Sequence, residues 1–348
     1  MHRVPNNNSV RLRLGLCTAL AGSAILWGAS DAEAKATYIT FQVLNNVTTV
    51  SALNAGGDTT GYYYDNGSIA HGFVRNAGGK VTTFDVSGNR TFGLAIDGAG
   101  DVAGTWIDAG AVTHGFVRAS DGTVTNFDVQ NATGTIPQGI NSSGTVTGYY
   151  TDQNNAPHGF VRAADGSITT FDVKGESGTE AFAINDKGMI AGNAFDANLA
   201  SEGFLRKASG KLATFSDGGV FELTRGEAIN LKGTIAGTSE AGGILHGIVR
   251  TQDGTITSFD AAGAGTGWGE GTFGTGINRS GEVTGLFKDS SSVAHGILRS
   301  AGGKLSTFDA PGAGSYGQEG TFPVAINDSG VVAGNVIGAS TGGFIRLP

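Results

Sequence analysis

The segment His158–Val173 reads HGFVRAADGSITTFDV, and nearly the same words begin at His71 and His114. Looser copies begin at Glu202, His246 and His295, and a clipped one at Gly342. Aligned on the arginine that ends GFVR, the copies fall at Arg75, Arg118, Arg162, Arg206, Arg250, Arg299 and Arg346, at intervals of 43, 44, 44, 44, 49 and 47 residues. A fixed period of this length restricts the chain to repeat architectures, in which each unit buries its apolar face against its neighbours.

One period holds four strand-like pieces. In the third repeat they are TIPQGIN (Thr135–Asn141), TVTGYYT (Thr145–Thr151), PHGFVRA (Pro157–Ala163) and SITTFDV (Ser167–Val173). The separators SSG, DQNNA and ADG are turn chemistry, because Asn, Asp and Gly tolerate positive φ. Four antiparallel strands in about 40–45 residues is the spacing of a propeller blade. The last repeat stops at GGFIRLP (Gly342–Pro348) without a fourth strand, whereas TYITFQV (Thr37–Val43) matches a fourth strand near the N-terminus. Exchanging that strand closes a ring and removes sheet edges. The expected fold is therefore all-β: a seven-bladed β-propeller of four antiparallel strands per blade, its N-terminal strand completing the last blade, as one domain over residues 35–348. The 60 glycines follow no collagen-like period, so they serve turns and close backbone approach.

Residues 1–34 read as a secretory signal peptide. Arg3, Arg11 and Arg13 precede the apolar run Leu14–Ala29, and Ala32–Ala34 offers an A-x-A cleavage pattern. The run is too short for a lasting span, so the expectation is a secreted chain, periplasmic or extracellular, with no membrane insertion after cleavage near Ala34. Cys17, the single cysteine, falls inside this segment. A net charge of −8 without basic clusters argues against nucleic acid.

The HGF signature, the GIN-x-x-G-x-V-x-G hairpin (Gly139–Gly148) and TTFD resemble the HAF family of extracellular repeats. The resemblance extends over essentially the whole chain after the signal segment. It implies an extracellular repeat protein and carries no reaction with it. The fourth repeat (SEGFLR, Ser201–Arg206) and the seventh (TGGFIR, Thr341–Arg346) depart from the signature in lacking its His.

Five histidines share one repeat position, and each is followed 14 residues later by an aspartate: His71 and Asp85, His114 and Asp128, His158 and Asp172, His246 and Asp260, His295 and Asp309. The repeats without the His also lack that Asp: Glu202 and Ser216 stand in the fourth, Gly342 and Gln42 in the seventh. A three-residue hairpin sets such positions opposite each other, so these are expected to be structural cross-strand pairs rather than five copies of an active site. A second aspartate (Asp65, Asp108, Asp152, Asp196, Asp289) is expected to open a loop as an Asx turn. No metal and no cofactor is expected. The seven arginines suggest a structural ion pair or a snorkelling side chain. Gly338–Gly342 fits G-x-S-x-G, and Gly269–Gly274 and Gly312–Gly317 fit G-x-G-x-x-G, but none precedes a helix, so no nucleophile elbow or dinucleotide loop is expected.

Two inter-repeat connections are long and alike, Ala261–Thr275 and Ala310–Val324. Each carries an aromatic residue and a carboxylate among glycines: Trp268 with Glu270, and Tyr316 with Glu319. These four are the candidate ligand-binding residues, suited to a glycan or a protein segment. The expected function is a secreted, monomeric binding protein acting at its loop face. The alternatives are an extracellular glycan hydrolase or lyase and a structural envelope or matrix protein.

Overall fold

The computed structural model describes residues 36–88, 90–217 and 223–348, so the signal segment expected over residues 1–34 lies outside it. The described chain is all-β, with 28 strands and one short 3-10 turn at Val43–Asn45. In the third repeat the strands are Gly134–Ile140, Val146–Thr151, Pro157–Arg162 and Ile168–Phe171, paired antiparallel in chain order. The first strand carries a bulge between Pro137 and Gly139, which adds local twist. The other repeats follow the same order. Single parallel bridges, Gly134 to Thr113, Leu245 to Gly271 and Ala294 to Gly320, join some repeats, so the strands group into sheets of 12, 8, 4 and 4.

The two ends of the described chain meet. Thr37–Phe41 pairs antiparallel with Thr341–Leu347, in register from Thr37 opposite Leu347 to Phe41 opposite Gly343. The first repeat also packs on the seventh: Val43, Val50, Tyr63 and Phe73 share one buried cluster with Ala333 and Ile345. Asn335 reinforces this seam, accepting from Val50 N at 2.7 Å and donating to Val50 O at 2.9 Å.

Each letter of the repeated signature has a packing role. The Phe that follows the signature Gly is fully buried at Phe73, Phe116, Phe160, Phe204 and Phe344. The preceding Gly lies beneath the ring of the fourth-strand Phe: a Cβ on Gly159 would stand 2.6 Å from the Phe171 ring. The other face of that ring receives the arginine of the next repeat. Arg162 stands 4.9 Å above Phe127, Arg206 4.8 Å above Phe171, and Arg75 4.9 Å above Phe41. The same contact recurs for Arg118, Arg250, Arg299 and Arg346. In place of the expected ion pair or snorkelling side chain, each arginine makes a cation–π contact across the repeat boundary. An aromatic face accepts a poorly hydrated guanidinium where a carboxylate would have to be desolvated.

Candidate functional site

On the face that carries the connections between repeats, the five His–Asp positions come together as side-chain pairs. Nδ1 lies 2.7 Å from the carboxylate in His71–Asp85 and 2.9 Å away in His114–Asp128, His158–Asp172, His246–Asp260 and His295–Asp309. In the seventh repeat Gln42 Nε2 instead donates to Thr341 O at 3.0 Å. The second aspartate forms the Asx turn, with Asp65 Oδ1 accepting from Gly67 N and Ile69 N. Its other oxygen turns toward the imidazole, 3.4 Å from Nε2 of His71 and 3.5–3.7 Å in repeats two, three and six. Burial pulls the His71 and His114 imidazoles down, but their paired carboxylates outweigh it and the net shift is upward. Among the described residues no group of three or more His, Cys, Asp or Glu side chains is placed to hold a metal ion.

The two long connections lie against the neighbouring loops of the same face. Gly269 N donates to Gly243 O at 2.7 Å, and Gln318 N donates to Ser292 O at 3.0 Å. Trp268 is 88% exposed and Tyr316 77% exposed. The carboxylates turn inward, into their own loops. Glu270 Oε2 accepts from Gly267 N at 2.7 Å, and Glu319 Oε2 accepts from Tyr316 N at 3.2 Å. The glycines are required here, since a Cβ on Gly265 or Gly314 would overlap these carboxylates. The four candidate residues therefore divide into two displayed rings and two carboxylates that hold the loops in shape.

A second concavity escaped the sequence reading. A cavity of about 300 Å³ is lined by three successive residues from the first-strand end of every repeat. Six of the seven triplets carry an asparagine that donates to the corresponding carbonyl of the next repeat: Asn141 to Asn185 at 3.1 Å, Asn185 to Asn230 at 2.7 Å, Asn230 to Asn278 at 3.1 Å and Asn278 to Asn327 at 3.3 Å. The series continues from Asn327 to Asn54 at 3.3 Å and from Asn54 to Asp97 at 2.9 Å. Asp97 interrupts it, having no amide to donate, and burial holds its carboxyl above the usual range. The signal was present as GIN or AIN at a fixed repeat position, but a side chain reaching the next repeat has no local signature.

Among the described residues no helix is long and apolar enough to cross a membrane. No family model and no curated protein sequence matches the chain. Among solved structures it is similar to a catalytically inactive virginiamycin B lyase from Staphylococcus aureus with quinupristin, at 13% identity and TM-score 0.63 over 90% of this chain and all (100%) of that one. It is similar to puromycin hydrolase, at 13% identity and TM-score 0.59 over 84% of this chain and 50% of that one. It is also similar to the β-propeller domain of the Trilobed protease from Pyrococcus furiosus, at 8% identity and TM-score 0.56 over 86% and 93%. At such identities these likenesses speak to fold alone, and they give this all-β chain a propeller-like architecture.

Proposed function

We propose that the chain is a seven-bladed β-propeller of HAF-type repeats, closed by its N-terminal strand, that is secreted and binds a glycan at its loop face. The closed ring is supported by the pairing of Thr37–Phe41 with Thr341–Leu347 and by the asparagine series that returns from Asn327 to Asn54. The observation that carries the binding reading is the pair of displayed rings, Trp268 and Tyr316, on alike, carboxylate-braced loops of consecutive repeats. A Trp or Tyr left open to water on a braced loop presents a flat apolar face with a polar edge, which suits a sugar ring. Bracing lowers the ordering cost of binding. Because Glu270 and Glu319 are held by their own loops, the rings themselves make the contact, which favours a glycan over a basic protein segment. Screening the full chain on a glycan array tests this reading. The expected result is binding that falls at least about tenfold, roughly 1.4 kcal/mol, in the Trp268→Ala/Tyr316→Ala double variant at unchanged melting temperature. An array without signal, or binding indifferent to both rings, would overturn it.

A further inference from the structure

Repeat five departs from its neighbours at the two positions that enclose the histidine elsewhere. In repeats one, two, three and six a second-strand ring stacks on the imidazole: Tyr63 on His71, Trp106 on His114, Tyr150 on His158 and Phe287 on His295, with centroids 4.3–5.1 Å apart. Two residues further on, the aspartate reaches the Nε2 side of that imidazole. In repeat five the register partner of His246 is Ser239, and the residue two further on is Ala241. Ring and carboxylate are both missing. In their place a cavity of about 260 Å³ opens, lined by Asp217, Ser239, Glu240, His246, Ser258 and Asp260.

The chemistry of this cavity is one-sided. His246 Nδ1 lies 2.9 and 3.0 Å from the two oxygens of Asp260. On the Nε2 side the position that carries the second aspartate in other repeats is Ala241, so no carboxylate from that position faces this nitrogen. The Ser239 hydroxyl donates to Asp217 Oδ2 at 3.0 Å, which leaves its own oxygen to accept. The carboxylates of Asp217 and Asp260, an imidazole nitrogen and hydroxyl oxygens thus line one small space, and neither Lys nor Arg is among its described lining. The complement of such a set is a cation with several N–H donors, since charge-assisted bonds to carboxylates are short and strong. The strands of this repeat turn at Gly242–Gly243, and Trp268 lies against Gly243. Ala241 and Gly243 are two residues apart, about 7 Å of extended chain.

We propose that this cavity receives the protonated amine of an amino sugar whose neighbouring ring stacks on Trp268. The inference rests on the glycan reading above and names the sugar. Isothermal titration of the full chain with glucosamine tetramer, N-acetylglucosamine tetramer and cellotetraose tests it. The glucosamine tetramer is expected to bind about tenfold or more tightly than the other two, with a preference that fades in high salt. Asp217→Asn should erase the preference while leaving the neutral tetramers bound. Ser239→Tyr, which restores the ring found in repeats one and three, should do the same by filling the cavity. Equal affinity for all three tetramers, or a preference unmoved by both variants, would overturn the amine subsite and leave the glycan reading standing. Amine-selective binding untouched by Trp268→Ala and Tyr316→Ala would overturn the glycan-stacking reading and support the cavity. No binding of any tetramer would overturn the amine subsite, and the glycan array then decides the glycan reading.

Discussion

His71 and His114 each lie between two carboxylates and against an aromatic ring, and their folded pKa values are raised above the ordinary imidazole value. A raised histidine contributes stability that is fully present below the unfolded pKa, about 6.5, and is lost as pH rises through the folded value. Asp65 and Asp108 shift the other way. The N–H groups of Ile69 and Val112 hold their carboxyls below the usual range, so their contribution is present above the unfolded carboxylate pKa and fades as pH falls through the folded value. Together these groups place the maximum of stability in mildly acidic solution, between about pH 5 and 6. Thermal melts from pH 4 to 8 at constant ionic strength should show the melting temperature falling on both sides of that window. His71→Gln with His114→Gln should flatten the fall above pH 6. A profile that rises through pH 7 would contradict the charged-histidine arrangement.

At the scale of the element, strands and turns were legible in the sequence, and the contacts between repeats were not. The pieces read at Thr135–Asn141 and Pro157–Ala163 lie within a residue of the observed strands Gly134–Ile140 and Pro157–Arg162. Alternation and turn residues are local signals, and here they were strong. The partner of Arg162 was illegible because Phe127 belongs to the preceding repeat, and no spacing rule within one unit points there. The displayed rings of Trp268 and Tyr316 stood out by interval length, but the inward turn of Glu270 and Glu319 depends on loop backbone that composition does not encode. The arginine contact makes a definite prediction. Arg162 is buried with its Nε unpartnered, so most of its compensation comes from the Phe127 face and from the bond to Ala163 O. Arg162→Ala and Phe127→Leu should each destabilise. In a double-mutant cycle by urea unfolding they should couple by about 1 kcal/mol. Additive effects would show that the stacking contributes nothing beyond packing.

Across the whole molecule, stability of a ring differs from that of an open array, because an array needs capping units whereas a ring supplies each unit with two neighbours. In the proposed ring, closure depends on one short segment. Thr37–Phe41 covers the edge of Thr341–Leu347, Phe41 carries the guanidinium of Arg75, and the Phe41 ring meets Phe73 edge-on at 6.2 Å. Just beyond it Val43 is buried against both chain ends. Removing residues 36–43 would therefore cost more than one strand pairing. It exposes a sheet edge, strands a buried arginine on the first repeat, and empties part of the apolar seam between repeats one and seven. The expected loss is on the order of 3–5 kcal/mol relative to a chain that begins at Ala36. It should appear as a lower melting temperature and a greater tendency to associate through the bared strand. Phe41→Ala separates the causes, since it leaves the backbone pairing in place while removing the platform of Arg75, and should recover part of the loss. If the chain lacking 36–43 melts with the one that begins at Ala36, the two ends do not hold the ring together, and stability must reside in the repeats taken singly.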